Sequence, residues 1–131
     1  MTRKPLPARR QSTTSNVRYD PIDFTVTVGF DDQGNPKEVF ADGAKTGSVM
    51  AAMIADSCVA VSLLLQWGAT PNDIAKTLLR VPDPSAGKDA SRMASPLGVI
   101  VETIITEQNA KQAERLAMQE IHNKKAVSGW V

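Results

Sequence analysis

The feature that most constrains the fold of this chain is the run VMAAMIADSCVAVSLLLQW at residues 49–67, which is apolar on nearly every side of a helix. Only Asp56, Ser57, Ser62 and Gln66 interrupt it. A helix that is apolar all round needs neighbours on more than one side. The run therefore predicts the central, buried helix of the fold and a subunit interface.

A run of this length could also span a membrane. An aspartate near the middle of a span opposes insertion by about 2.5–3.5 kcal/mol, and Asp56 has that position here. We therefore expect no membrane contact. A carboxylate in an apolar helix must find a partner or change its ionisation, so Asp56 is a candidate buried acid. It could pair with Lys45, with Arg80 or across an interface, or it could face a ligand.

Bulk composition narrows the class of protein. With 131 residues, 42% of them hydrophobic and 22% charged, the chain suits one soluble globular domain. Its one cysteine, Cys58, excludes an internal disulfide, a Cys-x-x-Cys redox pair and a cysteine-based zinc site. We expect no metal and no cofactor.

Charge separates the first 20 residues from the rest. They hold five basic residues, one acidic residue and two prolines without an apolar period, which predicts a disordered basic tail over residues 1–20. The other 111 residues hold 10 of the 15 basic and 13 of the 14 acidic residues, a balance that does not favour nucleic-acid binding. The start MTRKPLPARR lacks the apolar stretch of a secretory signal, so we expect a cytoplasmic protein, with an organellar transit peptide as the alternative.

The regular elements can be placed from their patterns. Strict alternation in FTVTVGF, a turn at DDQGNP and a return over residues 37–41 predict a β-hairpin. TPND starts a short helix that ends near Arg80, residues 82–94 form a mobile loop, and Ser95-Pro96 starts a helix that runs to about Lys124. The prediction is an α+β domain over residues 21–106, with the hairpin packed on the long buried helix, and a polar helix extension and tail over residues 107–131.

The segment GAKTGS at residues 43–48 follows a strand and opens a helix, as a phosphate-binding loop does. Its order is wrong for a Walker A loop, because Lys45 precedes the second glycine. A helix-capping turn is the structural alternative. The only histidine, His122, lies in the polar part of the last helix, and we assign no catalytic residue. The candidate anion ligands are Gly43, Lys45, Thr46, Gly47, Ser48 and Arg80.

Taken together, the segments FTVTVGFDDQGNPKEVF, GAKTGS, LLLQWG, TPNDIAKTLLRVP and ASPLGVIVETI resemble the TSCPD domain family over residues 22–106. Such domains occur at the C-terminal end of adenosylcobalamin-dependent ribonucleotide reductases and as short free-standing proteins. The resemblance implies a reductase-like accessory module.

The departures from the family pattern limit what the resemblance carries. The naming motif corresponds to residues 93–97, where Ser95 replaces the cysteine and Leu97 replaces the aspartate. Metal binding therefore cannot be carried over. Ribonucleotide reduction needs several cysteines and a catalytic barrel, so one thiol in 131 residues argues against that activity.

Three hypotheses of function follow. The first is a non-catalytic accessory or regulatory module that binds a nucleotide or another anion at the strand-to-helix loop. The second is a homo-oligomeric interaction module that engages a protein partner through the C-terminal helix and the Arg-rich tail. The third is a small enzyme for an anionic substrate, for which the sequence offers neither a base nor a nucleophile.

Overall fold

The structure is a computed structural model, and it describes residues 2–4, 6, 10–43 and 47–127. It confirms the predicted α+β class, with one three-stranded sheet, one two-stranded sheet and three α-helices in the described residues. The elements in chain order are β1 (Ser12–Tyr19), β2 (Ile22–Phe30), β3 (Pro36–Asp42), α1 (Val49–Gln66), α2 (Pro71–Thr77), β4 (Arg80–Pro82), a 3₁₀ turn (Pro84–Ala86), β5 (Ser91–Met93) and α3 (Pro96–Val127).

The larger sheet is antiparallel in the order β1-β2-β3. The predicted hairpin is confirmed as β2 and β3, and the alternation in β2 buries four side chains on one face. The turn between these strands is fixed by Asp31, whose Oδ1 accepts hydrogen bonds from the N–H groups of Gln33 and Asn35 at 2.9 Å each. The buried side chains of β2 are Phe24, Val26, Val28 and Phe30.

β1 was not expected from the sequence. The prediction of a disordered tail over residues 1–20 is wrong for Ser12–Tyr19, which pairs with β2 along its whole length. The strand STTSNVRY carries few apolar side chains, and none of its residues is fully buried. Its order comes from main-chain hydrogen bonds to β2, which a periodicity of apolar residues does not reveal.

The three helices cover the buried face of the sheet. α1 packs along β3, α3 contacts all three strands, and α2 packs against α3. The core joins the buried face of β2 to one side of each helix, so a single hydrophobic cluster holds the domain together. The helical members of that cluster are Ile54, Cys58, Val61 and Leu65 of α1, Ile74 of α2, and Ile100, Val101 and Ile104 of α3.

Two boundaries differ from the prediction. α2 ends at Thr77, three residues before Arg80, and Leu79 beyond it is exposed. Part of the expected loop over residues 82–94 is regular, because Ser91–Met93 pairs with Arg80–Pro82 as a second small sheet. Strands of three residues are too short to show a period.

α3 begins as predicted, with the Ser95 hydroxyl accepting a hydrogen bond from the N–H of Gly98 at 3.2 Å. Its 32 residues make it about 48 Å long. From Gln112 onward the described side chains are exposed, so the second half of α3 extends beyond the domain.

Candidate functional site

The predicted anion loop is described at its two ends only, since Lys45 and Thr46 lie outside the described residues. Gly43 has φ +124°, and a Cβ there would lie 2.9 Å from the Phe24 Cα and 3.0 Å from the Asp23 carbonyl oxygen. Ser48 caps α1, because its hydroxyl accepts a hydrogen bond from the N–H of Ala51 at 3.0 Å. The described part of the loop therefore has a structural role.

The structure gives Arg80 contacts of another kind. Its Nε donates to the Ser91 hydroxyl at 2.8 Å and its Nη2 to the Ser91 carbonyl at 2.9 Å, while Nη1 lies 3.8 Å from Glu102 Oε2. These contacts tie β4 to β5 and to α3. Anion binding at the loop stays a prediction, which requires a nucleotide to raise Tm and Lys45→Ala to abolish that rise.

Two of the polar residues that interrupt the apolar run of α1, Ser62 and Gln66, bond to main-chain groups at the outer edge of β3. The Ser62 hydroxyl accepts from the Val39 N–H at 3.0 Å and donates to the Val39 carbonyl at 3.3 Å. Gln66 Nε2 donates to the Lys37 carbonyl at 3.1 Å. An edge strand with free main-chain groups is a template for unwanted pairing, so these side chains protect β3. Their spacing of four residues was the sequence signal that could have identified them.

Cys58 continues the same stripe one turn earlier. Burial raises the pKa of the Cys58 thiol to about 11, and a backbone hydrogen bond from Ala41 acts in the opposite direction. The thiol is therefore protonated at neutral pH, and a protonated thiol is a poor nucleophile. Cys58 acts as a core residue.

The opposite side of α1 is the main departure from the sequence prediction. Within one chain α1 is not buried all round, because many of its apolar side chains face solvent: Val49 is 77% exposed, Met53 60% and Leu64 47%. The predicted subunit interface stays a prediction. We define the outer face of α1 as the exposed residues Val49, Met53, Asp56, Ala60, Leu63, Leu64 and the adjoining Trp67.

Asp56 lies on this outer face and is exposed, so it is not buried within one chain, and its pairing across an interface stays a prediction. Among the residues that the structure describes, no hydrogen bond or ion pair to Asp56 is seen, and its predicted partner Arg80 contacts Ser91 and Glu102 instead. Asp56 is the only charged residue of α1. The outer face is therefore apolar with one carboxylate near its middle.

A shallow groove of about 320 Å³ adjoins the outer face, between β3 and α1. Phe40, Val59 and Leu63 line it, and Phe40 is 57% exposed. Arg3 reaches the end of the groove, where its Nε donates to Gln66 Oε1 at 2.6 Å. The groove and the outer face form one continuous apolar surface through Leu63.

Three arginines of the predicted basic tail are engaged within the chain. Arg10 pairs with Glu38, and Arg3 contacts Gln66. Arg18 donates to Asp23 at 2.7 Å and to Asp20 at 2.8 Å, and these hydrogen bonds raise the pKa of Arg18. The arginines seen here therefore stabilise the N-terminal segment and the sheet.

The described part of the chain offers no cluster of three His, Cys, Asp or Glu side chains that could share a metal ion. By length and composition α1 is the one described helix that could cross a membrane. In this fold its inner side contributes four core residues and closes β3.

The family model of the TSCPD domain matches residues 1–107 of the chain. The chain belongs to the TSCPD domain family. The TSCPD match includes the first 21 residues, which the sequence resemblance left out. It ends at residue 107, before the exposed second half of α3 that begins at Gln112. Searches of curated proteins and of solved structures give no match.

Membership of the TSCPD family supports the coarser functional prediction, a module that resembles the C-terminal domain of adenosylcobalamin-dependent ribonucleotide reductases. The family match does not identify the surface through which such a module binds its partner, so that surface is inferred from the chain's own residues. The outer face of α1 is a part of the described surface whose apolar exposure the fold does not explain.

Proposed function

We propose that this chain is a non-catalytic TSCPD module that associates with a second copy of itself through the outer face of α1. The observation that carries the proposal is the exposure of apolar side chains along one whole side of a helix whose other side lies in the core. The alternative through the C-terminal helix has weaker support, because the exposed part of α3 is mainly polar.

The energetic argument concerns apolar area. α1 has 18 residues, so its outer face forms a strip about 27 Å long and about 10 Å wide. Monomeric soluble proteins rarely expose contiguous apolar patches larger than a few hundred Å², and the largest patch on a protein is often functional. Removal of such area from water contributes about 25 cal/mol per Å². Exposure of this strip to water is therefore unfavourable, and its burial would stabilise a complex.

The chemistry of the strip indicates the partner. It carries a single charge, Asp56, so a strongly charged partner surface would be desolvated without compensation. A second copy presents the same apolar strip, and two-fold symmetry makes such a surface complementary to itself. A stable interface buries about 800 Å² on each partner, so Phe40 and Val59 must join the strip to approach that area. We expect a dimer of modest affinity.

The absence of catalysis in this proposal is supported by the one thiol of the chain. Cys58 is buried and protonated at neutral pH. Its thiol accepts a hydrogen bond from the main chain of β3. The chain therefore has no reactive thiol for the chemistry of ribonucleotide reduction. An accessory role through protein contact is the function that remains consistent with the family and with the exposed helix.

Light scattering on two lysine variants tests the proposal. Met53→Lys places a charge among the apolar side chains of the strip and should weaken association at least tenfold, about 1.4 kcal/mol. Leu116→Lys is the matched control, because Leu116 is 70% exposed on the extension of α3. It should associate like the wild type. Circular dichroism checks that both variants fold.

Three outcomes would contradict the proposal. The wild type could stay monomeric across a dilution series, or Leu116→Lys could dissociate it while Met53→Lys does not. The chain could also stay monomeric and cosediment with vesicles of phosphatidylcholine and phosphatidylglycerol, which would make the strip a membrane surface.

A further inference from the structure

The spacing of the outer face carries a more detailed inference, which rests on the proposed function. Six exposed residues follow one another in steps of four, three, four, three and four. Such a spacing recurs every 3.5 residues and forms the narrow seam along which two helices interlock side chains. The seam residues are Val49, Met53, Asp56, Ala60, Leu63 and Trp67.

The order of these steps is the same in both directions, so the seam is symmetric about residue 58. We infer that two copies pair through α1 in antiparallel orientation, with Asp56 of each copy against Ala60 of the other. The same register places Val49 opposite Trp67 and Met53 opposite Leu63. Each large side chain then faces a seam residue of the second copy, and the smallest one faces the carboxylate.

Charge decides between this arrangement and a parallel pair. In a parallel pair in register, each Asp56 would meet Asp56 of the second copy within an apolar seam, and two like charges there are strongly unfavourable. In the antiparallel pair the two carboxylates lie on opposite sides of the two-fold axis, about 6 Å apart along the helices. The methyl group of Ala60 leaves room for water at each carboxylate.

The helix dipoles act in the same direction. In an antiparallel pair the positive N-terminal end of each α1 lies beside the negative C-terminal end of the other, whereas a parallel pair places like ends together. Asp56 then has the role of a polar residue in a coiled-coil seam, which fixes orientation and register at the expense of affinity. Asp56→Ala should therefore lower Kd at least fivefold and allow both orientations.

Spin labels on introduced cysteines measure the orientation in the full chain. The native Cys58 is buried, so a cysteine introduced at exposed Val49 or at half-buried Ser57 is labelled selectively. Val49→Cys lies at the end of the seam, and Ser57→Cys lies beside the two-fold axis. The antiparallel pair predicts label separations of about 27 Å along the helices at position 49 and about 3 Å at position 57. Dipolar electron paramagnetic resonance separates these values, and light scattering confirms that each labelled chain still associates.

The outcomes distinguish this inference from the proposed function. A long distance at position 49 with a short one at position 57 supports the antiparallel pair. Equal short distances at both positions, in a dimer that Met53→Lys dissociates, overturn the antiparallel pair and leave the proposed function intact. A monomeric wild-type chain overturns both. An Asp56→Ala variant with unchanged or weaker association contradicts the role of Asp56.

Discussion

At the scale of single residues, a hydroxyl group and a glycine determine how α1 is attached to the sheet. Ser62 satisfies both main-chain groups of Val39, which point away from β2. Gly43 lets β3 turn away from the sheet where any side chain would meet the backbone of Phe24. Neither residue has a catalytic partner in the described structure, so their roles are tested through stability.

Ser62→Ala should lower the free energy of unfolding by about 1–3 kcal/mol, because it leaves the N–H and carbonyl of Val39 without partners in a partly buried position. Ser57→Ala on the same helix is the matched control, since no hydrogen bond from the Ser57 hydroxyl is seen in the described structure, and it should change stability by less than about 0.5 kcal/mol. Urea unfolding of both variants at one protein concentration measures the difference. Equal effects would show that Ser62 does not protect the edge.

Gly43→Ala should destabilise the fold by about 2–4 kcal/mol, since φ +124° is strained for alanine and its Cβ would lie 2.9 Å from a backbone atom. Gly47→Ala is the control in the same loop. Gly47 has φ +81° but open space around the added Cβ, so only the backbone strain of about 1 kcal/mol applies. Thermal unfolding of the two variants should differ clearly, and a Tm for Gly43→Ala equal to that of Gly47→Ala would contradict the structure.

At the scale of elements, the sequence predicts the turns and helix starts that depend on neighbouring residues in the chain. The hairpin follows from alternation and from Asp31, and the starts of three helices follow from capping residues at Ser48, Thr70 and Ser95. β1 could not be predicted, because it has few apolar side chains and pairs with β2 through main-chain bonds that leave no apolar period. The apolar pattern of α1 indicates that most sides of the helix would be stabilised by burial. It cannot show whether the same chain or a second chain buries them.

The same reasoning applies to the predicted site. Ser48 caps α1, in line with the helix-capping alternative for this loop, while Arg80, a candidate ligand through its charge alone, contacts Ser91. Long-range contacts of this kind depend on tertiary packing. The protective role of Ser62 and Gln66 was missed because polar residues in an apolar helix look like interruptions until the edge of β3 is placed beside them.

The second half of α3 should be dispensable for folding and for association. A chain that ends after Gln112 keeps the core residues Ile100, Val101 and Ile104 and the contact between Ser15 and Glu107 at 2.7 Å. We expect its Tm to stay within a few degrees of the full chain and its mass distribution to remain that of an associating protein. Loss of association in this shortened chain would instead identify the α3 extension as the interface.

At the scale of the whole molecule, α1 connects stability with association. One side of the helix fills the core, a second stripe closes β3, and the third side is apolar but exposed. The first two roles are satisfied within one chain. The third is satisfied by another chain in our account, so the isolated domain can fold alone and still require a partner to cover its surface.

The most direct test of this account is the mass of the unmodified chain, measured by sedimentation equilibrium across a dilution series. One chain has a mass of 14.1 kDa. We predict an average mass that approaches twice this value at high concentration and falls toward it on dilution, as reversible pairing requires. A mass that stays at 14.1 kDa at every concentration would contradict the claim that a second copy covers the outer face of α1.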